Sequence, residues 1–286
     1  MRWQLPGRKR IVAVHTKPRA YVIAVGVNAN ENPAFNLRFA ANDARRFQAV
    51  LLGRLATSGE YSEVVSITLI SDWEQRGTEQ VTTVQAATKI NFKGVLDLLA
   101  GRPLEENIRR AIPNAEKITK VTPDDLVIIL FSSHGYADSN GLFYFIPYDT
   151  GAGSCNVFSE TVQQRSISSD ELSLWLRDVD AGQQTLIVDA CYSTAAIQGS
   201  GFKPGPMGSR GLGQLAYDKR MRILTATQAD NIAMELASTA DGRAIKHGLL
   251  TSLYWKMGWN GAWLTSNRRT RRFSWRMVGI CGYGRA

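Results

Sequence analysis

Two short stretches hold the residue types that covalent chemistry needs. Leu186-Ile187-Val188-Asp189-Ala190-Cys191-Tyr192-Ser193 runs from apolar residues into a carboxylate and a thiol, and the apolar run Leu126 to Phe131 stops at Ser132-Ser133-His134-Gly135. A free thiol, with a pKa of about 8.5, is only a few per cent thiolate at neutral pH, and a nearby imidazole either stabilises the thiolate or takes its proton. With three histidines (His15, His134, His247) and three cysteines (Cys155, Cys191, Cys281) in the chain, Cys191 has few imidazoles to choose from. The N–H groups of Gly135 and Cys191 are candidate donors to a tetrahedral oxyanion, so the natural reaction class is acyl transfer. Taken singly, a strand-end cysteine is more often a small buried hydrophobe and a lone histidine a satisfied loop residue. Their joint placement favours chemistry. The cysteines are too few and scattered for a disulfide framework, and no CxxC or Cys/His ligand spacing occurs, so no metal is expected through sulfur.

Placing two such residues together requires elements that deliver them to one edge. Arg19 to Asn28, Val64 to Ile70, Leu126 to Phe131, Thr185 to Asp189 and Arg222 to Ala226 read as strands. Leu37 to Leu52, Val95 to Leu99, Leu104 to Ile112, Ser168 to Val179 and His247 to Met257 have helical spacing, and Ser168 is a helix cap. Gly141 to Tyr148 reads as a short aromatic strand or hairpin. The alternation predicts an α/β fold, a central and mainly parallel sheet covered by helices. Reactive groups in such sheets lie beyond the carboxyl ends of the strands, which is where His134 and Cys191 are expected to face each other. Gly199 to Arg220 holds six glycines and two prolines in 22 residues and reads as a mobile loop.

Composition narrows the class further. The 286 residues are 44% hydrophobic and 21% charged, ordinary for a globular chain, and no apolar run approaches the roughly 20 residues of a membrane span. The N-terminal apolar piece, Ile11 to Val14, is too short for a secretory core, so a cytoplasmic protein is expected. The net charge of +9 comes from the tail. From Gly242 onward there are nine Lys or Arg and no Asp or Glu. The segment SNRRTRRFSWRM could contact phosphates and stack on bases, although a solvated or partner-facing terminus explains it more simply.

The ordered set RAYVIAVGVN, the Asn42-Asp43-Ala44 triplet, LVIILFSSHG, LIVDACYS and ILTATQADNIAMEL resembles the caspase and metacaspase clan of cysteine peptidases, in its bacterial members, over residues 20 to 258. The 57 positions from His134 to Cys191 fit a caspase-type histidine roughly 50 residues before its cysteine. The resemblance implies a three-layer sandwich in which His134 is the general base or acid, Cys191 the nucleophile, and the Gly135 and Cys191 amides line the oxyanion hole. Where animal caspases have Gln-Ala-Cys-Arg-Gly, this chain has Asp189-Ala190-Cys191-Tyr192-Ser193. In metacaspases an aspartate stands at the place of Asp189 and joins those of Asp43 and Ser132 in the S1 pocket. Two carboxylates there suit a guanidinium or ammonium, so the expected cleavage site follows Arg or Lys in a protein or peptide substrate. Outside that pattern, Asp43 reads as a surface helix charge and Asp189 as a strand-end cap.

The resemblance also divides the chain. Residues 1–19 form an extension; 20–258 form the peptidase domain, with a large-subunit-like region to about 198, a linker at 199–220 and a small-subunit-like region at 221–258; 259–286 form a basic tail. A basic-specific peptidase can cut its own linker at Lys203, Arg210, Lys219 or Arg220, and Arg210 is the preferred bond because its glycine neighbours leave it extended. No cofactor is expected. Calcium, which some metacaspases bind, has Asp170 and Glu171 as its only suggestion, and an acidic first helical turn explains them equally well. Gln228 to Asn231 is expected to shape the substrate groove. A regulatory protein partner, a catalytically silent scaffold and a nucleic-acid-binding effector stay open, and a bacterial stress, cell-death or antiviral defence setting is implied by the resemblance alone.

Overall fold

The computed structural model describes residues 17–138, 140–153, 157–191, 210–225, 265–267 and 272–274. Its centre is β1 (Arg19–Val27), nine Val-, Ile- and Ala-rich residues buried almost throughout. β1 pairs in parallel with β2 (Glu63–Arg76) on one side and β4 (Leu126–Ala137) on the other. β4 pairs in parallel with β7 (Gln183–Cys191), and β7 with β8 (Arg222–Thr225). β3 (Glu79–Gln85) closes the opposite edge as an antiparallel neighbour of β2, giving the order β3-β2-β1-β4-β7-β8. The last residues of β4 also pair antiparallel with β5 (Phe143–Phe145), which pairs with β6 (Ile167–Ser168). β9 (Thr265–Asn267) and β10 (Arg272–Ser274) form a separate antiparallel pair.

Both faces of the sheet are covered, as continuous apolar strands require. One face packs against α2 (Lys89–Leu99), α5 (Ser169–Leu176) and α6 (Arg210–Lys219), through Phe92, Leu96, Leu172, Trp175, Leu212 and Leu215. The short α3 (Glu106–Ala111) leans on the same side through Ile108. The other face carries α1 (Ala40–Ser58), whose Ala41, Ala44, Leu51 and Leu55 meet Ala20, Val22, Ala24, Ile128, Leu130 and Ile187. α4 (Glu160–Arg165) lies between β5 and β6 in the chain. This is the α/β sandwich the sequence predicts.

Several boundaries differ. β4 and β7 do not stop before the candidate site residues: His134, Gly135 and Cys191 are still within strands, because β4 exchanges its parallel partners for β5 and β7 keeps pairing with β4. β2 continues past Ile70 and turns at Gly77, with φ +61°, into β3. The expected mobile loop is helical over Arg210–Lys219, because Leu212 and Leu215 bury against the core despite the adjacent glycines. The helix expected at 247–257 and the stretch 228–231 lie outside the described residues. Ser168 is the expected cap, accepting from the Glu171 N–H at 3.1 Å.

Candidate active site

The parallel register of β4 and β7 sets His134 opposite Cys191 and Ser132 opposite Asp189. Paired residues of adjacent parallel strands share a sheet face and sit about 4.8 Å apart, and side chains two residues apart in one strand share it too. Leu130 and Ile187 belong to the α1-side core, so Ser132, His134 and Asp189 continue that face at the carboxyl ends of the strands. Cys191 holds the register position beyond Asp189. On the other side of β4, Gly26 of β1 pairs with Ser132, making one row of Gly26, Ser132 and Asp189 across three strands.

Gly26 is the seat of α1. A Cβ there would lie 2.7 Å from the Ala40 carbonyl oxygen, 2.8 Å from Ala44 Cβ and 2.9 Å from Ala41 Cα, so only glycine lets the first turn of the helix rest on the strand. Asp43, 2% exposed, is in that turn, which corrects the surface-charge alternative for it. Asp189 and Ser132 are also buried, at 5% and 3%. The three residues expected to form the S1 pocket therefore come from the first turn of α1, which rests on Gly26, and from the paired strand-end positions Ser132 and Asp189.

The capping of α1 was not foreseen from the sequence. Its N-cap residue, Phe39, offers no side-chain bond. Instead the buried Asn28 Oδ1, in the loop after β1, accepts from the Ala41 N–H at 3.1 Å, and its Nδ2 donates to Asp72 Oδ1 at 2.9 Å and to the Arg38 carbonyl at 3.2 Å. Two further buried asparagines organise the same loop. Asn30 Nδ2 donates to the Pro147 carbonyl at 2.7 Å, and its Oδ1 accepts from Thr150 Oγ1 at 2.6 Å and from the Asn32 N–H at 2.9 Å. Asn32 caps the 3-10 turn Pro33–Phe35, and Phe35 then meets the His134 ring edge to face, centroids 5.9 Å apart. The Asn-rich spelling NANEN was the available signal.

His134 is 8% exposed, and its carbonyl oxygen is held by two donors. Its carbonyl accepts from the Ile146 N–H at 3.0 Å and from Ser133 Oγ at 2.8 Å. The first of these bonds makes Gly135 and Phe145 a non-hydrogen-bonded pair of the β4–β5 ladder, so the Gly135 N–H is directed away from β5. A Cβ on Gly135 would run into the Phe143 ring and come within 3.0 Å of Ala190 Cβ.

The remaining expected residues are less concentrated. Asp170 and Glu171 occupy the first turn of α5, where the Glu171 carboxylate pairs with Lys89 Nζ at 2.7 Å and accepts from the Ser168 N–H at 3.0 Å. Among the described residues no group of three His, Cys, Asp or Glu is arranged to hold a metal ion. Arg210 is the first residue of α6, not part of an extended loop, and Lys219 is its last. Lys219 Nζ donates to the Arg177 carbonyl at 3.0 Å, and burial lowers its pKa below the usual lysine range. Arg220 follows with φ +49°, and the Met221 N–H closes the helix on the Ala216 carbonyl at 3.0 Å. Lys203 lies outside the described residues. No described helix is long and apolar enough to cross a membrane.

No curated protein matches the chain. The family model described as the caspase domain matches residues 19–256, from the first residue of β1 through β4 and β7 and well beyond β8. The chain therefore belongs to the caspase-domain family of cysteine peptidases.

Proposed function

We propose that this chain is an endopeptidase that cleaves after Arg or Lys, with Cys191 as nucleophile and His134 as its base. The observation that carries this reading is the β4–β7 register, which pairs His134 with Cys191 and, two residues earlier, Ser132 with Asp189. In the acylation step the imidazole of His134 takes the thiol proton, the thiolate adds to the scissile carbonyl, and the oxyanion is received by the Gly135 and Cys191 N–H groups. The protonated imidazole then gives its proton to the leaving amine, and water repeats the sequence on the thioester. Asp43 and Asp189 receive the guanidinium or ammonium of the residue before the cut, with Ser132 between them. An aspartate side chain at that place would meet like charge.

Self-cleavage belongs to the same proposal. A peptidase groove takes extended chain, so helical Arg210–Lys219 is a poor substrate except where its first turn frays. Arg210 is thereby favoured over Lys219 and Arg220. The expected setting is the cytoplasm, with protein substrates and, as the family resemblance suggests, a role in bacterial stress or defence.

The test is a peptide panel carrying Arg, Lys or Asp at the cleavage position, run on the wild type and on Cys191→Ala. Turnover of the Arg and Lys peptides by the wild type alone is expected. Preference for Asp would overturn the pocket reading, and turnover by Cys191→Ala would overturn the nucleophile. If neither protein cleaves any peptide, a non-catalytic scaffold is the better account.

A further inference from the structure

Among the described residues β3 is an outer edge of the sheet, and its residues 80–85 read the same in both directions: Gln80-Val81-Thr82-Thr83-Val84-Gln85. We propose that β3 pairs antiparallel with β3 of a second copy of this chain, across a two-fold axis between Thr82 and Thr83. This inference does not rest on the proposed peptidase activity.

The palindrome alone is insufficient, because strand geometry restricts which residues can oppose. In a regular strand, residues five apart direct their N–H and C=O groups to opposite edges, so Gln80 and Gln85 could not form a hydrogen-bonded pair with each other's copies. β3 is not regular. Asp72 pairs with Val84 and Trp73 with Thr82, leaving Thr83 as one extra residue, a bulge held by its Oγ1 donating to the Asp72 carbonyl at 3.3 Å.

The bulge restores the parity. The Ala86 N–H donates to the Ile70 carbonyl at 2.8 Å, which makes Ser71 and Gln85 a non-hydrogen-bonded pair and turns the Gln85 N–H and C=O outward. Counting along β2 through the bulge, Thr82 and Gln80 also face outward, whereas Glu79, Val81 and Val84 face β2. Gln80 and Gln85 therefore present the same outward edge, which no described strand pairs. In the palindromic register, Gln80 of one copy opposes Gln85 of the second, and the two-fold repeats the pair.

The side chains fit this arrangement. Each residue opposes its own type, Val with Val, Thr with Thr and Gln with Gln, and β-branched and Thr–Thr neighbours are favourable cross-strand pairs. No charge lies within the paired segment, and β3 carries neither the lysine nor the proline that commonly guard an edge. Val84, 40% exposed, gains cover. Two-fold pairing uses the edge completely, so assembly closes at the dimer. A strand-edge contact of this size belongs to the small, weak class of interfaces.

The experiment is sedimentation velocity over a wide range of concentration, on the full chain carrying Cys191→Ala so that self-cleavage cannot change the mass. The starting protein is expected to pass reversibly from monomer to dimer. Gln80→Glu with Gln85→Glu sets glutamates opposite one another and should raise the dissociation constant about tenfold or more. Gln80→Glu with Gln85→Lys sets opposite charges in the same positions and should retain the dimer. Both double variants keep an acceptor at position 80 for Asn36 Nδ2, which bonds Gln80 Oε1 at 2.7 Å, and thermal melts verify that both are folded. A monomer at every concentration overturns the proposal, as does a dimer that the two double variants form equally well.

Discussion

Ser132 and Asp189 occupy one register position of neighbouring strands, two residues before His134 and Cys191 occupy another. The proposed specificity position and the proposed reacting position are thus tied by the same backbone ladder. Replacing Asp189 by Asn leaves that ladder intact and removes one carboxylate from the proposed pocket. We predict a loss of about 100-fold in kcat/KM on Arg peptides, equivalent to about 2.7 kcal/mol of transition-state stabilisation. Alkylation of Cys191 by iodoacetamide should persist. Asp43→Asn should act in the same direction, and unchanged Arg turnover in both variants would remove these carboxylates from the pocket.

Asn28 holds α1 from outside the helix, through the Ala41 N–H, so Asn28→Ala uncaps the turn that carries Asp43. A loss of about 1–2 kcal/mol of stability is expected, read as a lower denaturant midpoint. Since the capped turn sits at the candidate pocket, KM for Arg peptides should rise with it. A variant with unaltered stability would show that the bond contributes nothing.

Two glycines on the same path make opposite predictions. Gly26→Ala drives a methyl into the backbone of α1 and should cost at least about 1–3 kcal/mol. Gly53, inside α1 with nothing within 4 Å of its added Cβ, should become a stabilising site, Gly53→Ala gaining about 0.5–1 kcal/mol. Chemical denaturation of both decides whether close approach, rather than chain flexibility, keeps residue 26 a glycine.

Burial raises the pKa of Asp149 above its usual value, against the Lys89 N–H that its Oδ1 accepts at 2.8 Å. A raised folded pKa means that the folded state holds this proton more tightly than the unfolded chain does. Its stabilising contribution is full below the unfolded pKa and is lost as pH rises through the folded pKa. Wild type should therefore lose stability relative to Asp149→Asn as pH rises from the acid range toward neutrality. Melts of the two proteins across that range should diverge in this sense; parallel curves would contradict it.

Much of this architecture was legible because burial on both faces writes a continuous apolar run. β1, the first half of β4 and β7 announce themselves in that way, and α5 by its Ser168 cap. The candidate reactive positions stand out for the same reason, as polar residues abruptly ending such runs. The remaining features carry no such run. β3 is solvated on both faces and shows no clear alternation, and α6 is held by the burial of Leu212 and Leu215 among glycines that disfavour a helix. The cap of α1 comes from Asn28, 13 residues before Ala41, while Phe39 at the usual position gives no hint.

The change of partners along β4 has a mechanical consequence. One uninterrupted strand is clamped by β1 and β7 up to Ser132–His134 and by β5 immediately afterward, so His134 sits at a junction where two sheets hold the same backbone. A stimulus that leaves β4 zipped to β7 has no lever on the spacing of residues 134 and 191. Switching such a molecule on or off means changing what reaches that junction, since the junction itself behaves as a fixed anvil.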